Sequence, residues 1–116
     1  MTIQRIQVGP RMSQAVVHGG TVYLAGQVAL DNAGKSVGDQ TREILGRIDT
    51  LLAATGSDKH KLLSATIYLS DIATFAEMNA VWDTWVDPGN TPARATVEAK
   101  LAAPQFTVEI SIVAAI

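Results

Sequence analysis

An α+β fold, with a sheet backed on one face by two helices, is what this sequence predicts. Three observations carry that expectation. The hydrophobic periodicity runs strand, strand, helix, strand, helix, strand, strand. Only two segments have the three- and four-residue spacing of an amphipathic helix. The chain has 116 residues, 47% of them hydrophobic, enough for one core and too few for two. We therefore treat residues 1–116 as a single domain.

Ser13 to His18 is an apolar-rich run closed by Gly19-Gly20, and Thr21 to Ala29 alternates behind it, so the pair reads as a hairpin. Gly26 interrupts the second run, as at a bulge or a close approach by another backbone or a ligand. Asp31-Asn32-Ala33-Gly34 is turn chemistry. A helix is expected over Asp39 to Thr55, with Ile44, Leu45, Ile48, Leu51 and Leu52 on one face. Asp39 would cap its start, and Gly56 stands where a left-handed cap is wanted.

Leu62 to Leu69 is β-branched and aromatic, hence a strand. Phe75 to Val86 carries the stripe Phe75, Met78, Trp82 and Trp85, and Thr74 with Glu77 has capping-box spacing. Arg94 to Lys100 and Thr107 to Ala114 alternate as strands, joined by Leu101 to Phe106. Two helices can cover only one face of such a sheet. The other face then calls for burial against further copies of the chain.

Composition argues against several functions. There is no cysteine, so no disulfide framework and no thiolate chemistry, and a reducing compartment suits the chain. The N-terminal residues lead into no long apolar run, and no segment reaches the roughly 18 apolar residues of a membrane span. A cytoplasmic protein without a membrane partner is expected. The net charge is −2 and the nine basic residues are scattered, which does not suit a nucleic-acid partner. His18 and His60 lack metal-ligand partners at useful spacing, so no metal site is expected. His60, in the polar run Ser57 to Lys61, reads as a solvated side chain. Phosphate-loop, dinucleotide and Gly-x-Ser-x-Gly motifs are absent.

Two residues stand out. Arg94 enters a strand just after Thr91-Pro92-Ala93, where the proline stiffens the backbone. A guanidinium held there suits bidentate capture of a carboxylate; the plainer reading is a surface arginine paired with an acid. Glu109 sits within the apolar run Val108 to Val113. Partial burial would fit its carboxylate for acid–base work; the plainer reading is an exposed residue on an edge strand.

Separated segments resemble the Rid (YjgF-like) family of reactive-intermediate deaminases. They are Gly9-Pro10-Arg11-Met12-Ser13-Gln14-Ala15-Val16, Val22-Tyr23-Leu24-Ala25-Gly26-Gln27-Val28, Gln40-Thr41, Thr66-Ile67-Tyr68-Leu69-Ser70-Asp71, Phe75-Ala76-Glu77-Met78-Asn79, Pro92-Ala93-Arg94-Ala95-Thr96-Val97-Glu98 and Val108-Glu109-Ile110. Their order and spacing follow the family over nearly the whole chain. The resemblance implies a chorismate-mutase-like fold, three chains closing a trimeric barrel with sites in the clefts between subunits. It implies cofactor-independent hydrolysis of enamines and imines of 2-amino acids to 2-keto acids and ammonia. Arg94 matches the family's carboxylate-binding arginine and Glu109 its water-handling glutamate. Gly26 matches a cleft-lining backbone position and Asn79 a site-lining asparagine.

Deaminating members often carry tyrosine at Met12, serine at Ala25 and cysteine at Thr96, and Arg11 is additional here. These departures place the chain away from the best-known deaminase subfamily and imply a reshaped, less polar pocket around Met12, Ala25 and Thr96. A small carboxylate-bearing substrate and a homotrimer of the chain itself are the implied partners. Two other readings compete: non-catalytic binding or sensing of small carboxylates, and a ribonuclease or translation inhibitor. The latter suits the missing basic patch and the lack of a histidine pair least.

Overall fold

Seven strands form one mixed sheet in the computed structural model, which describes residues 1–116. They are β1 (Gln4–Val8), β2 (Ser13–His18), β3 (Thr21–Leu24), β4 (Gln27–Val28), β5 (Leu62–Leu69), β6 (Ala93–Glu98) and β7 (Val108–Ala115). The helices are α1 (Val37–Ala54) and α2 (Phe75–Trp85). The sheet order is β1-β2-β3-β7-β5-β6, and β4 continues the line of β3 along β7. Only the β5–β6 pair is parallel, because α2 is the crossover between them.

The hairpin forms as its turn residues require. Gly19 and Gly20 have φ of 59° and 79°, a region open to glycine at no steric cost. β1 was not expected from the sequence. It is an exposed edge strand in which only Ile6 is partly buried, so no alternation marks it. The long second strand is broken between Leu24 and Gln27, at Ala25-Gly26.

The helical stripes are buried as their spacing demands. Ile44, Leu45, Ile48, Leu51 and Leu52 of α1 join Met78, Trp82 and Trp85 of α2 over Ala15, Val22, Leu24, Ala65, Ile67, Leu69, Val108, Ile110, Ile112 and Ala114 of the sheet. The opposite sheet face carries no helix. Tyr23, on that face, is half exposed.

The expected caps are corrected at both helix starts; α1 begins earlier than expected, at Val37, while α2 begins at Phe75 as expected. Ser36, not Asp39, caps α1, its Oγ accepting from the Asp39 N–H at 3.1 Å. Asp39 lies inside the first turn, where its charge suits the helix dipole. Thr74 and Glu77 form no capping box. The Thr74 hydroxyl donates to Asp71 O at 2.6 Å, and Glu77 Oε2 instead accepts from the Gly38 N–H at 2.8 Å. That carboxylate thus satisfies a free donor at the start of α1 and ties the helices together. At their other ends the Trp85 indole N–H donates to the Asp49 carboxylate. Gly56, at φ 81°, ends α1 as expected.

One buried glutamine positions the last strand. Gln40 is fully buried in α1, and its Nε2 donates to Lys35 O and Gln105 O, both at 3.0 Å. Its Oε1 accepts from the Thr107 N–H at 3.0 Å. The bonds to Gln105 and Thr107 draw the β6–β7 connection onto α1 just before Val108 and Glu109, and the bond to Lys35 fixes the approach to α1.

Candidate functional site

Strand register decides where Arg94 goes. Arg94 pairs with Ala65, and Ala65 with Ile112, so all three side chains share the helix-covered face. Arg94 lies on the edge strand, beyond the packed core, and reaches α2. Its Nη1 donates to Asn79 Oδ1 at 2.8 Å. The guanidinium carbon lies 5.3 Å from the Trp82 ring centroid and 5.8 Å from that of Phe75. Cation–π attraction and one hydrogen bond hold the group. No carboxylate of the chain pairs with it, which sets aside the plainer reading of a surface ion pair within the subunit. Its rigidity comes from Asn79 and two aromatic rings, beyond the stiffening expected from Pro92.

Thr96 follows two residues on and shares that face, opposite Ile67. Its Oγ1 is buried without a hydrogen-bond partner, a costly state for a hydroxyl.

Glu109 points the other way. It pairs with Tyr68 and Val28, and Tyr68 pairs with Val97, so these side chains occupy the helix-free face. The chain therefore does not bring Arg94 and Glu109 together: they stand on opposite faces of one sheet. Glu109 is partly buried, and Gly26 makes room for it. A Cβ at Gly26 would fall well inside contact distance of Glu109 Oε2 and lie 3.0 Å from its Cδ. The close approach at Gly26 is thus by this side chain, and not by the backbone or ligand that the sequence suggests.

A cleft of about 960 Å³ adjoins this pair, and Met12, Gln14, Gly26, Gln27 and Glu109 are among its lining residues. Met12 is about half exposed at its wall. Ala25 contributes backbone: its N–H donates to Gln14 O and its carbonyl accepts from Gln27 Nε2. On the far side, Arg47 Nε donates to Glu43 Oε2 at 2.6 Å. Burial pulls the Glu43 carboxyl up, but Arg47, Asn32 and the Asp31 and Asn32 N–H groups together hold it below its ordinary value. Glu43, through the Asp31 and Asn32 N–H groups, and Arg47, whose Nη2 lies 3.3 Å from Asp31 Oδ2, staple α1 to the Asp31 turn.

Phe75, Trp82, Gln14 and Gln27 were not singled out from the sequence as site residues. The first two read as a core stripe; only the register that turns Arg94 toward α2 gives them a role. His60 is not merely solvated: its Nδ1 lies 2.8 Å from Asp87 Oδ2. Asn90, His60 and the Gly89 N–H hold the Asp87 carboxyl down at about 2. No cluster of His, Cys, Asp or Glu is arranged to hold a metal, and no helix is long and apolar enough to cross a membrane.

Two helices on one face of a mixed sheet, with an unpaired arginine at the edge strand and a glutamate behind it, define the class. The chain belongs to the YjgF-like family that includes the Rid proteins, matching the family signature described as endoribonuclease L-PSP over residues 2–116. It is 48% identical over 114 residues to a RutC family protein of Haemophilus influenzae, with 98% of each chain covered. It is 44% identical over 116 residues to the RutC family protein YoaB of Escherichia coli, with both chains covered in full. Its fold superposes with a TM-score of 0.95 on NMB1025 of Neisseria meningitidis, a YjgF family member; the two are 47% identical, with 99% of this chain and 95% of that one covered.

Proposed function

We propose that the protein is a cytoplasmic, cofactor-independent deaminase that hydrolyses 2-imino acids and their enamine tautomers to 2-keto acids and ammonia. The observation that carries this reading is Arg94: a guanidinium fixed by Asn79, Trp82 and Phe75, with no carboxylate of its own chain. Such a group is preorganised for the planar fork of a substrate carboxylate.

The opposed faces of Arg94 and Glu109 add a requirement. A substrate touching both must lie between two chains, taking Arg94, Asn79 and Thr96 from one subunit and Glu109 and Gly26 from the next. A homotrimer, with the helix-free faces turned inward, supplies three such clefts and buries surface that no helix covers. In each, Arg94 orients the carboxylate. Glu109 takes a proton from water as the oxygen adds to the C=N carbon, giving a carbinolamine. The nitrogen gains that proton, the C–N bond breaks, ammonia leaves, and the carbinolamine hydroxyl gives up its proton to become the carbonyl of the 2-keto acid. Thr96 Oγ1 and the backbone at Gly26 orient the substrate, and Met12 and Ala25 give the pocket a less polar floor. Free imines already hydrolyse in water, so orientation and one proton path suffice.

The test is to generate 2-imino acids in situ with an amino-acid oxidase and follow keto-acid release. Acceleration proportional to protein concentration supports the reading; release at the water rate for every imine overturns it. The replacements at Met12, Ala25 and Thr96 favour a second reading, carboxylate binding without turnover. It takes over if 2-keto acids bind through Arg94 while no imine is hydrolysed. Ribonuclease chemistry has less support: His60 is engaged by Asp87, and His18 stands at the exposed hairpin end.

Gly26→Ala checks the placement of Glu109. The methyl group meets the flexible end of a glutamate, so the fold should survive with less than about 1 kcal/mol lost. Displacing the carboxylate should lower kcat by about 10–100-fold. Thermal unfolding alongside initial rates separates the two effects.

A further inference from the structure

Gln27 is buried, and its Nε2 donates to the Ala25 carbonyl at 3.0 Å and to Gln14 Oε1 at 2.9 Å. A backbone carbonyl can only accept, so the nitrogen of Gln27 must face Ala25 O. Its second hydrogen then requires an acceptor, which sets the oxygen of Gln14 toward Gln27. The orientation of the Gln14 amide follows without freedom: Oε1 is engaged, and Nε2 keeps both of its donors. Gln14 is only partly buried and lines the cleft beside Met12, Gly26 and Glu109.

The neighbouring strand adds an independent feature. Gln7 is the one non-glycine residue with positive φ, at 52°. It lies level with Gln14, between the Ile6–Ala15 and Val8–Ser13 pairs, and lines the same cleft. Backbone strain of this kind persists where the surroundings impose it and concentrates at binding sites.

We infer that Gln14 is a specificity-determining residue whose amide N–H donors read a hydrogen-bond acceptor on the substituent of the substrate, with Gln27 as its positioning residue. The inference rests on the imine-hydrolase reading. There the carboxylate belongs to Arg94 and the water to Glu109, so the substituent on C2 is the part left to recognise. The substrate class is then 2-imino acids whose side chain carries an oxygen acceptor.

Two probes of equal size separate the donors from general packing: the imines formed from O-methylhomoserine, whose ether only accepts, and from norleucine. The parent should favour the ether by about tenfold in kcat/KM, the ordinary worth of one neutral hydrogen bond. Gln14→Glu keeps the oxygen that Gln27 needs and removes the donors; Gln14→Met removes both. Each should bring the ratio to about one, and only Gln14→Met should lower thermal stability. Equal rates for the two probes in the parent, or an unchanged preference in Gln14→Glu, overturns the assignment of Gln14 while leaving the deaminase intact. Should no imine be hydrolysed, the affinities of 4-methoxy-2-oxobutanoate and 2-oxohexanoate give the same ratio and decide the role of Gln14 alone. Binding of neither keto acid overturns both proposals.

Discussion

Arg94→Ala is expected to lower kcat/KM for imine hydrolysis by about 10²–10³-fold, because it removes the bidentate hold on the substrate carboxylate. Arg94→Lys should do little better. Lysine keeps the charge, but it loses the planar fork and the face that lies over Trp82 and Phe75. Both variants should remain folded, since the guanidinium sits at the sheet edge and its cation–π contacts contribute about 1 kcal/mol. Circular dichroism and initial rates on the same samples check this. A parent-like rate in Arg94→Ala would remove the enzymatic reading.

Glu109→Gln should separate binding from turnover. The amide has nearly the same shape beside Gly26 and cannot take a proton from water at neutral pH. We expect 2-keto acid affinity within about threefold of the parent and kcat lower by about 10²–10⁴-fold. Calorimetric titration with a keto acid and initial rates with an imine give the two numbers. Equal losses in both would make Glu109 a binding group.

Much of the fold was legible because its signals are local. The α1 stripe from Ile44 to Leu52 repeats with the helical period, and Gly19-Gly20 leaves the chain little choice but a tight hairpin turn. β1 was not legible, since an edge strand such as Gln4 to Val8 needs no buried alternation. The caps differ from those expected because several nearby side chains can satisfy the same free N–H groups. Ser36 outcompetes Asp39 by position, and Glu77 finds the start of the other helix rather than its own.

For the site, residue types were legible and directions were not. Arg94 and Glu109 could be named from the sequence, together with Gly26 and Asn79. That the first two face apart depends on pairing Arg94 with Ala65 across a parallel crossover and Glu109 with Tyr68 across an antiparallel one. No local pattern encodes that register. The Gln14–Gln27 pair likewise spans 13 residues and shows itself only when the break at Ala25-Gly26 brings the strands together.

Mixed oligomers test the central claim, a site shared between two chains, most directly. Arg94→Ala and Glu109→Gln subunits, each inactive alone, are unfolded and refolded together in equal amounts. A site then regains activity whenever its arginine comes from one variant and its glutamate from the other. Random mixing should restore about a quarter of the parent rate, since each site needs one favourable choice at two positions. Co-refolded samples as inactive as the separate variants would contradict the account, because both groups would then have to come from a single chain.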